Sequence, residues 1–88
     1  MKKYELTTDT KIVLGKKLFR IKALVSFGNV KAGDLGGYVE RENNLSHEGD
    51  AWVFDNAKVF DNAEVSGDAK VFDNAKVFDN AEVSGDAK

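Results

Sequence analysis

His47 is the only histidine among the 88 residues, so acid–base chemistry is the first possibility the sequence raises. A working general base needs a second group that holds the ring and shares its proton. Only Glu48 and Arg41 lie near it in sequence. We read His47 instead as a polar plug where the N-terminal segment meets the first repeat. Asp55, Asp61, Asp68, Asp73, Asp79 and Asp86 recur regularly and raise the question of Ca²⁺. They lack the Gly-rich nonapeptide pattern and the carboxylate density of such sites, and suit hydrogen bonding at corners better. Gly33-Asp34-Leu35-Gly36-Gly37 is a turn and not a phosphate loop, because neither Lys-Ser/Thr nor a helix follows it. The expectation is a chain with no catalytic residue, no metal site and no cofactor.

Composition narrows the classes further. There is no cysteine and no proline, which excludes disulfides and Cys-based metal sites and weakly favours the cytoplasm. No apolar run approaches the roughly 20 residues of a membrane span. The net charge of −2 hides a division. Residues 1–34 carry eight Lys/Arg against three Asp/Glu, a balance of +5, and residues 35–88 carry five against twelve, a balance of −7. A basic end and an acidic end favour head-to-tail contacts or an anionic partner. Lys and Arg without a recognition motif make a solvated face, so nucleic acid is not expected.

The elements that must position these residues follow from a repeat. Residues 53–70 and 71–88 are the same eighteen letters, each made of three hexads such as Val53-Phe-Asp-Asn-Ala-Lys58. Position one is always Val, position five always Ala, position four Asn or Asp. Ala-x-Val alternates small, charged and β-branched, which is a short strand with Ala and Val facing in. Phe-Asp-Asn and Ser-Gly-Asp interrupt it with residues that tolerate φ > 0, which makes corners. Three sides and three corners close a coil of eighteen residues. The fold class is therefore all-β, a triangular parallel β-solenoid.

Carrying the frame backwards gives coils 35–52, 53–70 and 71–88, the first degenerate, with Leu35, Val39, Leu45 and Ala51 inward. Residues eighteen apart should stack, so Phe54 lies over Phe72, Phe60 over Phe78, and Asn56 and Asn62 form ladders with Asn74 and Asn80. Tyr38 lies one coil below Asn56, and Trp52 stands over Lys70 and Lys88 as a cation–π candidate. Residues 1–34 form a cap. Lys11-Ile-Val-Leu14 and Leu18-Phe-Arg-Ile-Lys-Ala-Leu24 make a hairpin about a Gly15-containing turn. Its apolar face (Phe19, Ile21, Ala23, Val25) belongs over the first coil, and Asp34-Leu-Gly-Gly-Tyr38 is the hinge.

Val-Phe-Asp-Asn-Ala-Lys and Val-Ser-Gly-Asp-Ala-Lys resemble the hexapeptide repeat of left-handed parallel β-helices. Phe27-Gly-Asn-Val-Lys-Ala-Gly-Asp-Leu-Gly-Gly-Tyr-Val-Glu and Asn44-Leu-Ser-His-Glu-Gly-Asp-Ala-Trp-Val resemble bacterial and phage-borne β-solenoid proteins that open with such a cap. The resemblance implies a left-handed stacking solenoid with no agreed activity. Hexapeptide acyltransferases share the repeat type and use a catalytic His with an acyl-donor groove. Here no inserted loop leaves the coils to build one, so acyl transfer is a remote alternative.

The expected role is a non-enzymatic structural repeat protein that self-associates as an end-to-end dimer or a larger stack. It would do so through its last coil, where Val71, Val77 and Val83 and a parallel edge are open. Phe54, Phe60, Phe72 and Phe78 are the further interface candidates, as an apolar strip, with the alternative that the cap covers them or that they only stack on each other. A binding module using those rings or the basic cap is the rival reading. The perfect identity of the two eighteens points to a consensus or duplicated-repeat design, or to a recent duplication.

Overall fold

The computed structural model describes residues 2–84. β1 (Tyr4–Val13) and β2 (Lys16–Ala23) form an antiparallel hairpin. Its two-residue turn is Leu14-Gly15, both at positive φ (51° and 79°), which matches the twist of the flanking strands. β3 (Leu35–Val39) pairs with β2 antiparallel on one side and with β5 (Lys58–Val59) parallel on the other. Five strands thus share one sheet in the order β1-β2-β3-β5-β8, with β8 spanning Lys76–Val77. Two further parallel ladders join β4 (Trp52–Val53) to β7 (Lys70–Val71) and β6 (Glu64–Val65) to β9 (Glu82–Val83). The chain visits the three ladders in rotation and returns to each after one circuit.

The period-six pattern is realised as expected. Val53, Val59, Val65 and Ala51, Ala57, Ala63, Ala69 are all buried. Each corner turns on hexad position three: Asp55, Asp61, Asp73 and Asp79 at φ between 56° and 61°, and Gly67 at 65°. Asp is one of the few L-residues that tolerates this region, because its short polar side chain bonds locally. The side-chain ladder that forms is accordingly one of Asp. The Asp55 carboxylate accepts the Asp73 amide at 3.4 Å and that of Asp61 accepts the Asp79 amide at 3.2 Å. No Asn56–Asn74 or Asn62–Asn80 side-chain bond forms among the described residues.

The first circuit departs from the expected frame. Val39 pairs with Val59 and Leu45 with Val65, twenty residues on, whereas Trp52 pairs with Lys70, eighteen on. Two extra residues therefore lie in the bend at Ser46–Glu48. Tyr38 consequently sits beside Lys58 and not below Asn56, and Leu45 takes a Val position and not an Ala one. Leu35, expected inward, is 57% exposed. Gly36 and Gly37 are strand residues and not a hinge. A Cβ on Gly36 would lie 2.6 Å from the Val53 carbonyl oxygen and 2.8 Å from the Trp52 ring, and one on Gly37 would overlap the Ala57 carbonyl.

The hairpin does cover the first circuit. Tyr4, Ile21 and Ala23 join Val39, Leu45 and Val53 in the main core. Leu18 packs with Tyr38 and Phe60 in a smaller cluster on the other side of the sheet. The Phe27–Val30 bend lies over the β4 side, so Trp52 is buried at a position where Lys and Glu elsewhere face water.

Candidate functional site

Backbone polarity organises the two ends of the molecule. At corners and strand ends, every amide bond between circuits runs the same way, from a lower N–H to an upper carbonyl. Tyr38 N–H meets Ala57 O at 3.0 Å, Trp52 N–H meets Ala69 O at 3.2 Å, and Phe60 N–H meets Val77 O at 3.0 Å. At these positions carbonyls point toward the cap and amides toward the third circuit. Inside the parallel ladders the pairing of Tyr38 with Lys58 and of Lys58 with Lys76 adds the opposite bond, from an upper Val amide to a lower carbonyl. The first circuit has no circuit beneath it, and its carbonyls need other donors.

The cap supplies them. Ala69 O and Gly67 O take amides from the first circuit, so Ala51 O and Gly49 O are their unserved equivalents. The Lys3 ammonium reaches both, at 2.7 and 3.3 Å, and lies 4.5 Å above the Phe27 ring. Burial holds Lys3 down at about 8, while the Asp50 charge pulls it back up. On the next side, the Tyr4 hydroxyl lies 2.6 Å from Leu45 O and 2.7 Å from Glu42 O, and its one proton serves the pair. On the remaining side β2 completes the edge of β3.

His47 is where cap and first circuit meet, as expected, and its chemistry is fully engaged. Nδ1 accepts the Lys3 amide at 3.0 Å, which leaves the proton on Nε2 to be donated to Glu42 Oε1 at 3.1 Å. The ring stacks on Tyr4 with centroids 4.2 Å apart. Lys2 also reaches Glu42, at 3.1 Å, and its hydrogen bond is the main reason that carboxyl is held below its usual range. A groove of about 380 Å³ runs beside His47, lined by Glu42, Asn43, Ser46, Glu64 and Ser66. With one nitrogen accepting a backbone amide and the other donating to Glu42, the imidazole has no free lone pair to take a substrate proton. Its partner is Glu42, not the expected Glu48 or Arg41.

Sequence reasoning missed Asn44, which is buried. Its Oδ1 accepts the Glu40 and Arg41 amides at 3.0 and 2.8 Å, and its Nδ2 donates to Ala63 O at 2.8 Å. An Asn-Asn pair before a Leu is the only signal, and it reads equally well as a corner.

At the opposite end the third circuit opens on an apolar concavity of about 310 Å³, lined by Val71, Phe72, Ala75, Val77, Val83 and the Lys70 stem. Of the expected interface residues, Val71, Val77, Val83 and Phe72 are thus brought together. Phe78 is exposed beside them but stacks on Phe60 at 5.5 Å. Phe60 itself is buried under the hairpin and Phe54 half-buried against the core, so neither offers surface there. Trp52 pairs with Lys70, but its ring meets Tyr4 and Phe27 edge-on. Lys88 and Asp86 lie outside the described residues.

A second charged surface lies on the five-stranded sheet. Tyr38 is flanked by Lys11 at 5.0 Å, Arg20 at 4.7 Å and Lys58 at 6.0 Å from its ring centroid. Burial lowers Lys58, and the neighbouring Lys11 and Lys76 lower it further. No group of three or more potential metal-ligating residues occurs among the described residues. Nor is any helix among them long and apolar enough to cross a membrane.

No protein-family model matches the chain. A curated protein of Escherichia coli (strain K12), the uncharacterized acetyltransferase YdcK, is 42% identical over 50 residues. That stretch is 56% of this chain and 15% of the relative's length.

Proposed function

We propose that this chain is a non-enzymatic structural module, a capped triangular β-solenoid that associates with further coils through its third circuit. The observation that carries this reading is the contrast between the ends. The carbonyl end is served by Lys3, Tyr4 and β2, whereas β8 is the last strand of its sheet and the concavity beside it is apolar. Parallel sheets are stable when both faces and edges are covered, and an uncovered edge recruits another strand. The left-handed winding follows from the hexapeptide resemblance.

The test is to append one more copy of residues 53–70 after Lys88. The longer protein should resist urea better, and hydrogen exchange at Phe72, Lys76 and Phe78 should slow at least tenfold. Unchanged exchange at those amides would refute a stacking edge.

The similarity to an acetyltransferase favours a second reading, in which these circuits are the coil-forming part of an acyl-transferring protein. Its donor site would then come from residues other than His47. Acetyl-CoA binding by the 88-residue chain, abolished in His47→Ala, would support catalysis at His47 itself. We expect no binding.

A further inference from the structure

The direction of the inter-circuit amides specifies what can occupy the free edge, a step that rests on the stacking role proposed above. In the second circuit Phe54, Lys58, Phe60 and Glu64 donate their amides upward to Val71, Ala75, Val77 and Ala81. Their repeat equivalents Phe72, Lys76, Phe78 and Glu82 face the same way, and among the described residues no backbone carbonyl meets them. The edge is rich in donors. Two such edges brought together would set most of their amides against amides, with the Lys76 and Glu82 carbonyls as the few acceptors between them. A second intact copy offers no better match at its other end, because there the carbonyls are held by Lys3 and Tyr4, both buried in the cap.

We propose that the third circuit docks an uncapped coil of the same hexapeptide repeat, supplied by a second polypeptide stacked in the same direction, and that intact copies do not join end to end. The occupant reproduces the interface already made between the second and third circuits. It presents carbonyls to the free amides, and its Val and Ala rows close the concavity lined by Val71, Val77 and Val83.

The probe is a fluorescent peptide of residues 53–88, which has the repeat without the cap, titrated with the full 88-residue protein in excess. Saturable binding is expected. Lys76→Pro and, independently, Glu82→Pro remove one upward amide each and place a ring over the edge without touching the circuit below. Each should weaken binding at least tenfold, and two separate sites guard against one variant failing to fold. Orientation is read from disulfides. Same-direction stacking puts Ser66 of the peptide over Ser84 of the protein at a spacing of about 4.8 Å, within the roughly 4.4–6.8 Å that a disulfide needs. Peptide Ser66→Cys should therefore cross-link to protein Ser84→Cys faster than peptide Phe72→Cys does. Sedimentation of the intact protein should give a monomer. The proposal is overturned by equal binding to both proline variants, by equal cross-linking of the two peptides, or by an intact-protein dimer that either proline abolishes. Stabilisation by an appended repeat together with no binding of the peptide would remove this inference and leave the structural role standing.

Discussion

Asn44 and Lys3 show how single side chains stand in for missing backbone. Asn44 ties two amides and a carbonyl into one buried amide group. Asn44→Ala should cost about 2–3 kcal/mol, since each buried unpaired group costs on the order of 1–3 kcal/mol. Asn44→Asp should be no better, because its second oxygen would face the Ala63 carbonyl; urea denaturation of both variants decides. Lys3 predicts a pH dependence. Its folded value of about 8 lies below the ordinary 10.5, so between pH 8 and 10 the unfolded chain binds more protons and stability rises with pH. Tyr4 works in the opposite sense. Burial, and then the Glu42 charge, raise it above its ordinary 10, so its contribution is lost as pH climbs beyond that value. Urea midpoints should therefore climb from pH 8 to about 10 and then fall. Lys58 adds to the same climb, so the comparison is with Lys3→Met, which should flatten most of it. A wild-type profile that falls steadily from pH 8 would contradict the burial of this lysine.

The corners and the first circuit show what a period can and cannot reveal. Position three was legible as a corner because Asp, Asp and Gly share tolerance of positive φ, and the structure places Asp55, Asp61, Gly67, Asp73 and Asp79 there. Asp73→Ala should cost about 1–2 kcal/mol through the left-handed backbone. Asp73→Gly should be near neutral, as a pair of thermal melts would show. The two extra residues at Ser46–Glu48 were not legible, for a simple geometric reason. A slip of one residue along a strand turns every side chain to the wrong face, but a slip of two leaves each inward residue inward. Val39 and Leu45 satisfy either frame. The donors of Lys3 and Tyr4 were hidden for another reason: they answer to carbonyl positions, which no hydrophobic pattern encodes. The hairpin was readable from its alternation, although the turn fell at Leu14-Gly15.

For the whole molecule, the +5 and −7 halves meet in ion pairs, Lys2 with Glu42 and Lys16 with Asp61, and Lys3 sits on the Gly49 and Ala51 carbonyls. Protection should grade along the axis: Lys58 and Phe60 amides, bonded to Ala75 and Val77, should exchange far more slowly than Lys76 and Phe78. Equal rates across the two sets would contradict the stacking order. The letter-for-letter identity of residues 53–70 and 71–88 has a further consequence. Val59 pairs with Val39, yet Val77 carries the same neighbours and would fit that place equally well. A folding chain can therefore lay its last repeat on the first circuit and leave the middle one as a loop. The contacts in that counterfeit register are native in kind and fewer in number, so nothing local marks it as an error. Only the lost circuit does, and the chain must unzip to recover it.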